Sequence, residues 1–278
     1  MSGRDIHARP GVGATAHVLQ GRELEIVRIH VDQCALIVVD KGIKAVRTGQ
    51  GASVRALTGQ AIVIGAGQTV DFRNAVDDGD RYEARWLVFD ADLFDDGYYL
   101  ECAARAGHVP APLQLLARVG ADVADAFERA RLALVSGDGL PDAVVRQRLL
   151  EVMHWLLEAG VVLRRPPAQA GVAARVRALV AGQLDGAWSV GRVAGELALS
   201  EATLRRRLAT EGTTLSELLL ESRMSSALTL LQATARPVSD IALAVGYESP
   251  SRFAVRFRQR FGFAPTAVRG HERAHSNP

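Results

Sequence analysis

The sequence predicts a two-domain chain. An antiparallel β barrel or sandwich with two following α-helices comes first, and an all-α part with two helix-turn-helix units joined by a long helix comes second. Three observations predict this. Residues 20–90 hold short polar–apolar runs separated by Gly and Asp turns every eight to ten residues. From about residue 111 the apolar period changes to three and four. After residue 172 the chain reads as helical throughout and contains an internal repeat. At 278 residues and 48% apolar content, the chain is long enough to bury two cores.

The strand segments begin with "RELEIVRIH" (22–30), which alternates, and "CALIVVD" (34–40), a short apolar run. "KAVRT", "ASVRAL", "QAIVIG", "QTVDF" and "YEARWLVFD" follow. Two helices are predicted next, "PLQLLARVGADVADAFERARLALV" and "PDAVVRQRLLEVMHWLLEAGVVL" (141–163), separated by Gly137, Asp138, Gly139 and Pro141. The second is apolar over more than half its surface, which suggests a helix–helix contact with a second copy as well as core packing. In "RRPPAQAG" (164–171), two prolines stop any helix, which predicts a linker at 165–171 between domains 1–164 and 172–278.

The repeat pairs "VAGELALSEATLRRRL" (193–208) with "IALAVGYESPSRFAVRF" (241–257). Each has a short helix, a small residue at the bend (Ala198 or Gly246), an apolar residue (Leu199 or Tyr247), a Ser and a second helix. Each second helix carries an apolar pair four residues apart, Leu204/Leu208 and Phe253/Phe257. A glycine at such a bend accepts a positive φ, and a small residue lets the helices approach. Between the units, "TLSELLLESRMSSALTLLQATA" (214–235) reads as one helix about 30 Å long. One turn of B-DNA is about 34 Å, so a rigid connector of that length suits two helices in successive major grooves.

Charge supports a polyanionic partner for the second part alone. Residues 171–278 hold 14 Arg, no Lys and 9 acidic groups, a net of +5; residues 1–170 hold 19 basic and 22 acidic groups, a net of −3. With the phenylalanines of the second unit turned inward, Arg252, Arg256 and Gln259 form a flank, and Arg258 lies away from the core. In the first unit Arg205, Arg206 and Arg207 also point away from the core. Arginines so placed suit phosphates and the acceptor edge of guanine.

These residues resemble the AraC/XylS family of bacterial transcription regulators over about residues 172–270. The likeness rests on Ile241-Ala242, Gly246-Tyr247, Ser249, Ser251, Phe253, Phe257, Phe261-Gly262, Pro265 and Arg269. Upstream, Ala194, Ser200, Leu204, Leu208, Gly212, Arg223, Ala227 and Leu231 agree. The resemblance implies a DNA-binding regulator, an activator working with RNA polymerase. By position it places Ala202, Arg205 and Arg206, then Ser251, Arg252 and Val255, toward bases, with Arg207, Arg256 and Arg258 also at the DNA. Two positions depart from the family pattern, which usually has an aromatic residue at Val268 and often one at Arg252. The N-terminal half is similar to the family's cupin-like barrel with dimerisation helices. This implies a homodimer and control by a small-molecule or protein effector. Arg28, Arg47, Arg55, Arg73 and Arg85 are candidates to bind an acid if they face the interior; alternation leaves the face open.

Other chemistries find little support. Cupin enzymes hold metal with His-x-His plus a later Glu and His, yet residues 20–90 contain only His30. His7, His17, His108, His154, His271 and His275 are scattered. The competing reading, a cupin-type metal enzyme with a helical interaction module, therefore lacks ligands; no metal, cofactor or catalytic residue is expected. Cys34 reads as core rather than as a redox sensor, and Cys102 is no better placed. Two cysteines make no disulfide framework and suit a reducing cytoplasm. "GVG", "GQG" and "GAG" lack the strand–helix context of a nucleotide loop. Asp95-Asp96 reads as a pair of loop acids. The start "MSGRDIHARPGVG" has no apolar stretch, and no run of about 18 apolar residues occurs, so neither a signal peptide nor a membrane span is expected.

Overall fold

The structure, a computed structural model, describes residues 5–77, 81–165 and 171–269. The chain divides into two compact units, Met1–Pro166 and Pro167–Pro278. Residues 166–170, most of the expected linker, lie outside the described residues, as do His271 and His275.

The first unit contains two antiparallel sheets. Its strands are β1 (Ile6–Arg9), β2 (Gly13–Gln20), β3 (Leu24–Val31), β4 (Cys34–Lys41), β5 (Ile43–Thr48), β6 (Ser53–Ala56), β7 (Ala61–Ile64), β8 (Gln68–Ala75) and β9 (Tyr82–Phe89), then β10 (Leu113–Leu116) after helix α1 (Gly97–Ala106). One sheet runs β1-β2-β9-β4-β7-β10 and the other β3-β8-β5-β6. The six-stranded sheet is covered on both faces. Ile62, Ile64, Val39 and Ala84 meet the other sheet, while Leu36, Val63, Leu87 and Phe89 meet the helices. That double burial explains the unbroken apolar run "AIVI" of β7.

The helices differ from the sequence expectation. Among the described residues of this unit there are three α-helices, α1, α2 (Ala121–Val135) and α3 (Asp142–Glu158), rather than two. In α1, the Asp96 side chain accepts from the Tyr99 amide at 2.9 Å, and Gly107 ends the helix at φ 67°. Asp96 is thus a cap, and Asp95 pairs with Arg165. "PLQLL", expected to open a helix, is strand β10, pairing Leu113 with Ile64 and Leu116 with Ala61. Strands β1 and β2 lie ahead of residue 20, where the sequence reading placed none. The excess apolar surface of α3 is largely used inside its own unit: Val145, Leu149, Leu150, Val152, Met153, Leu156 and Leu157 are all buried. Leu132, Val144 and Trp155 remain exposed on α2 and α3. Cys34 is buried, and burial pushes its thiol pKa up. His30 is half-buried, near Thr69 and Asp32.

The arginines considered for the interior do not occupy it. Arg28, Arg47, Arg55 and Arg73 are exposed, and Arg85 is held by Asp40 at 2.7 Å and Glu128 at 2.8 Å. Among the described residues, the fully buried cation is Lys44, 6% exposed. Its ammonium donates to Asn74 Oδ1 at 2.9 Å and lies 4.0 Å from the Phe72 ring centroid. Asn74 in turn donates to Gln20 Oε1 at 3.1 Å. Close by, the Tyr82 hydroxyl is buried without a hydrogen-bond partner among the described residues. Burial lowers the Lys44 pKa to about 7, from 10.5.

The second unit is helical: α4 (Val172–Ala181), α5 (Val190–Glu196), α6 (Glu201–Thr210), α7 (Leu215–Ala233), α8 (Val238–Ala244) and α9 (Pro250–Phe261). The 19 residues of α7 span about 28 Å. A capping box starts it, Thr214 accepting from the Glu217 amide while the Glu217 carboxylate accepts from that of Thr214. Glu211, which no sequence signal singles out, accepts from the Val172 and Ala173 amides at 2.7 and 2.9 Å. It supplies the cap that Gly171 lacks.

Both bends have one geometry. The Leu199 amide donates to Ala194 O at 2.8 Å, and the Tyr247 amide to Ala242 O at 2.9 Å. Ala198 and Gly246 take φ 53° and 83°, the left-handed closure of a helix end. Gly246 is also sterically required. A Cβ there would lie 2.7 Å from Leu184 O and 2.9 Å from Arg223 Nη2.

Two outcomes follow from these packings. Gly246→Ala should destabilise the second unit by about 2–4 kcal/mol, from φ strain plus displacement of Arg223; amide exchange in α8 and α9 measures it, and unchanged protection refutes the steric account. For Lys44, the unfolded chain binds the extra proton between about pH 7 and 10.5, so its share of stability rises with pH across that window and is absent below it. In urea unfolding, the advantage of Lys44→Met over the parent should shrink by roughly 3 kcal/mol between pH 6.5 and 9.5. A constant gap excludes a titrating Lys44.

Candidate nucleic-acid interface

Each second helix of the repeat is started by a serine. Ser200 Oγ accepts from the Thr203 amide at 3.2 Å, and Ser249 Oγ from the Arg252 amide at 3.4 Å, with Pro250 in the first turn. Inward faces fix how the helices are rolled. Leu204 and Leu208 are buried in a core with Val176, Val193 and Leu218. Phe253, Phe257 and Phe261 form a ladder with centroids 5.5 and 4.7 Å apart, extended by Tyr247 on Phe253 and Phe263 on Phe257. Val268, where the family pattern has an aromatic residue, is buried beside Pro265 in a short 3-10 turn.

Outward faces follow from that roll. Ala202, Arg205, Arg206 and Arg207 on α6 are all exposed, as are Ser251, Arg252, Val255, Arg256 and Arg258 on α9. On α6, Arg206 projects straight away from the core, with Arg205 and Arg207 on the two flanks. Arg205 is paired with Glu201 at 3.1 Å, an exposed bridge one turn apart. On α9, Val255 and Gln259 project straight outward, with Arg252 and Arg256 on one flank and Ser251 and Arg258 on the other. Gln259, read from sequence as part of a flank, is central, and its Oε1 accepts from Arg256 at 3.3 Å.

In the first unit Arg47, Arg73, Arg85, Arg129, Arg131, Arg148 and Arg165 each have a carboxylate partner. Among the described residues Arg206, Arg207, Arg252 and Arg258 have none. Four unneutralised guanidiniums on two repeated helices make a surface for an anion.

Residues 193–271 match the family model described as a helix-turn-helix domain. The transcriptional regulator SirC of Salmonella typhimurium is 35% identical over 91 residues, 33% of this chain and 31% of SirC. The regulator GadX of Escherichia coli O6:H1 is 35% identical over 98 residues, 35% of this chain and 36% of GadX. The chain thus spans about a third of the length of the curated relatives it matches. In fold it is similar to ToxT of Vibrio cholerae, TM-score 0.61 at 15% identity, over 92% of this chain and 97% of that one. A second ToxT structure, holding (E)-4-(8-methylnaphthalen-1-yl)but-3-enoic acid, gives TM-score 0.63 with the same coverage. Two helix-turn-helix units on one long connector, read together with these matches, make residues 193–271 a helix-turn-helix domain similar to those of the transcriptional regulators SirC and GadX.

Proposed function

We propose that the chain is a sequence-specific regulator of transcription, an activator that works in the cytoplasm with RNA polymerase and binds double-stranded DNA through residues 172–278. The observation that carries this is the pair of repeated helices α6 and α9, each seated on an apolar core with unpaired arginines outward. The geometry favours Arg206 as the base reader of α6, and flank arginines such as Arg207 as phosphate contacts.

Residues 1–164 are proposed to sense an effector and to pair two copies, with 165–171 as the linker. Exposed Leu132, Val144 and Trp155 on α2 and α3 support pairing. For the effector, small molecule or protein, Lys44 favours a carboxylic acid, the chemical class of the but-3-enoic acid bound to ToxT. The competing reading, a cupin-type metal enzyme, needs a ligand cluster, and no group of three His, Cys, Asp or Glu suited to a metal occurs among the described residues. Stoichiometric iron, manganese or zinc in the purified chain would revive it. No helix among the described residues is long and apolar enough to cross a membrane.

Arg206→Ala should weaken binding to the specific site by about 1–3 kcal/mol while leaving non-specific binding nearly intact. Arg207→Ala should instead lower the slope of log K against log salt by about one unit. Fluorescence anisotropy on selected and scrambled duplexes separates the two; unchanged affinity of both variants rejects the assignment.

A further inference from the structure

The two units carry opposite chemistry at one repeat position. Arg206 follows the first core residue of its helix, Leu204, by two; Val255 follows Phe253 by two. Both project from the centre of the outward face, and Val255 is 57% exposed. The groups around Val255 are polar or cationic: Ser251, Arg252, Arg256, Arg258 and Gln259. Val255 contributes nothing to the phenylalanine ladder, and a β-branched residue on an exposed helical surface costs propensity relative to arginine. Its side chain can neither donate nor accept a hydrogen bond. On the major-groove edges of the four bases, the apolar group is the 5-methyl of thymine.

We propose that α9 selects a thymine through contact of Val255 with its 5-methyl group, so that the two half-sites are chemically different, one read by a cation at Arg206 and the other by an apolar contact. This rests on the DNA-binding reading above.

The test uses the full chain in two steps. Binding sites are first selected from random duplex DNA. Each thymine of the selected site is then replaced in turn by deoxyuridine, which removes only the methyl group. One replacement should weaken binding about fourfold, the equivalent of about 0.8 kcal/mol for one methyl group. The Val255→Ser variant should bind the thymine and deoxyuridine sites equally at that position. Selection repeated with Val255→Arg should return guanine there in place of thymine. Circular dichroism establishes that both variants keep their helices. If the parent binds every deoxyuridine site as tightly as the thymine site, the proposal is overturned and DNA binding stands. If the first step yields no preferred sequence, the sequence-reading function falls and the proposal with it.

Discussion

The second unit depends on one contact, that of Arg223 with the backbone around it. Arg223 lies in α7 and donates to Leu184 O at 3.0 Å and Gly186 O at 3.2 Å, carbonyls of the turn after α4. Its guanidinium also fills the space beside Gly246, the bend between α8 and α9. One side chain on the connector therefore touches the approach to the first helix-turn-helix and the bend of the second. A side chain at residue 246 would have to displace it. Arg269 does a similar service at the far end of α7, donating to Leu231 O and Thr234 O at 3.1 and 2.8 Å. Half-buried guanidiniums that bond backbone carbonyls tie the helices together, because leaving those bonds unmade is costly.

This separates two kinds of arginine within one basic unit. Arg223 and Arg269 are used up inside the fold. Arg206, Arg207, Arg252 and Arg258 are left over, and their mutual repulsion is relieved only by counterions or a polyanion. A net charge alone does not distinguish these roles. The partner of each guanidinium does: backbone carbonyls for Arg223 and Arg269, carboxylates for Arg85 and Arg129.

The second unit is legible in the sequence because its signals are local. Serine caps, a glycine at a left-handed bend and core residues four apart each specify backbone geometry within a few residues. Even Ala198, which takes φ 53° without being glycine, is found because the repeat aligns it with Gly246. The first unit is less legible for the opposite reason. Strand β10 has the apolar content of a helix start, and only pairing with β7 makes it a strand. Helix α1 carries a legible cap, Asp96, and a legible stop, Gly107, yet only Tyr99 and Ala103 of its ten residues are buried. The inward Lys44 escapes a search for alternation among apolar residues, because in β5 a lysine occupies the inward register of Val46 and Thr48.

The positions that fix the fold and the positions proposed to choose a sequence are therefore different sets. The phenylalanine ladder, Gly246 and Arg223 are fixed by packing. Arg206 and Val255 touch nothing in the core, so the fold leaves them free to change. A duplicated scaffold with interchangeable outward residues can present a guanidinium in one unit and an isopropyl group in the other without altering either bend. The insertion of Glu248, which makes the second turn one residue longer than the first, falls after the left-handed residue and before the serine cap. It leaves the shared backbone hydrogen bond intact in both units.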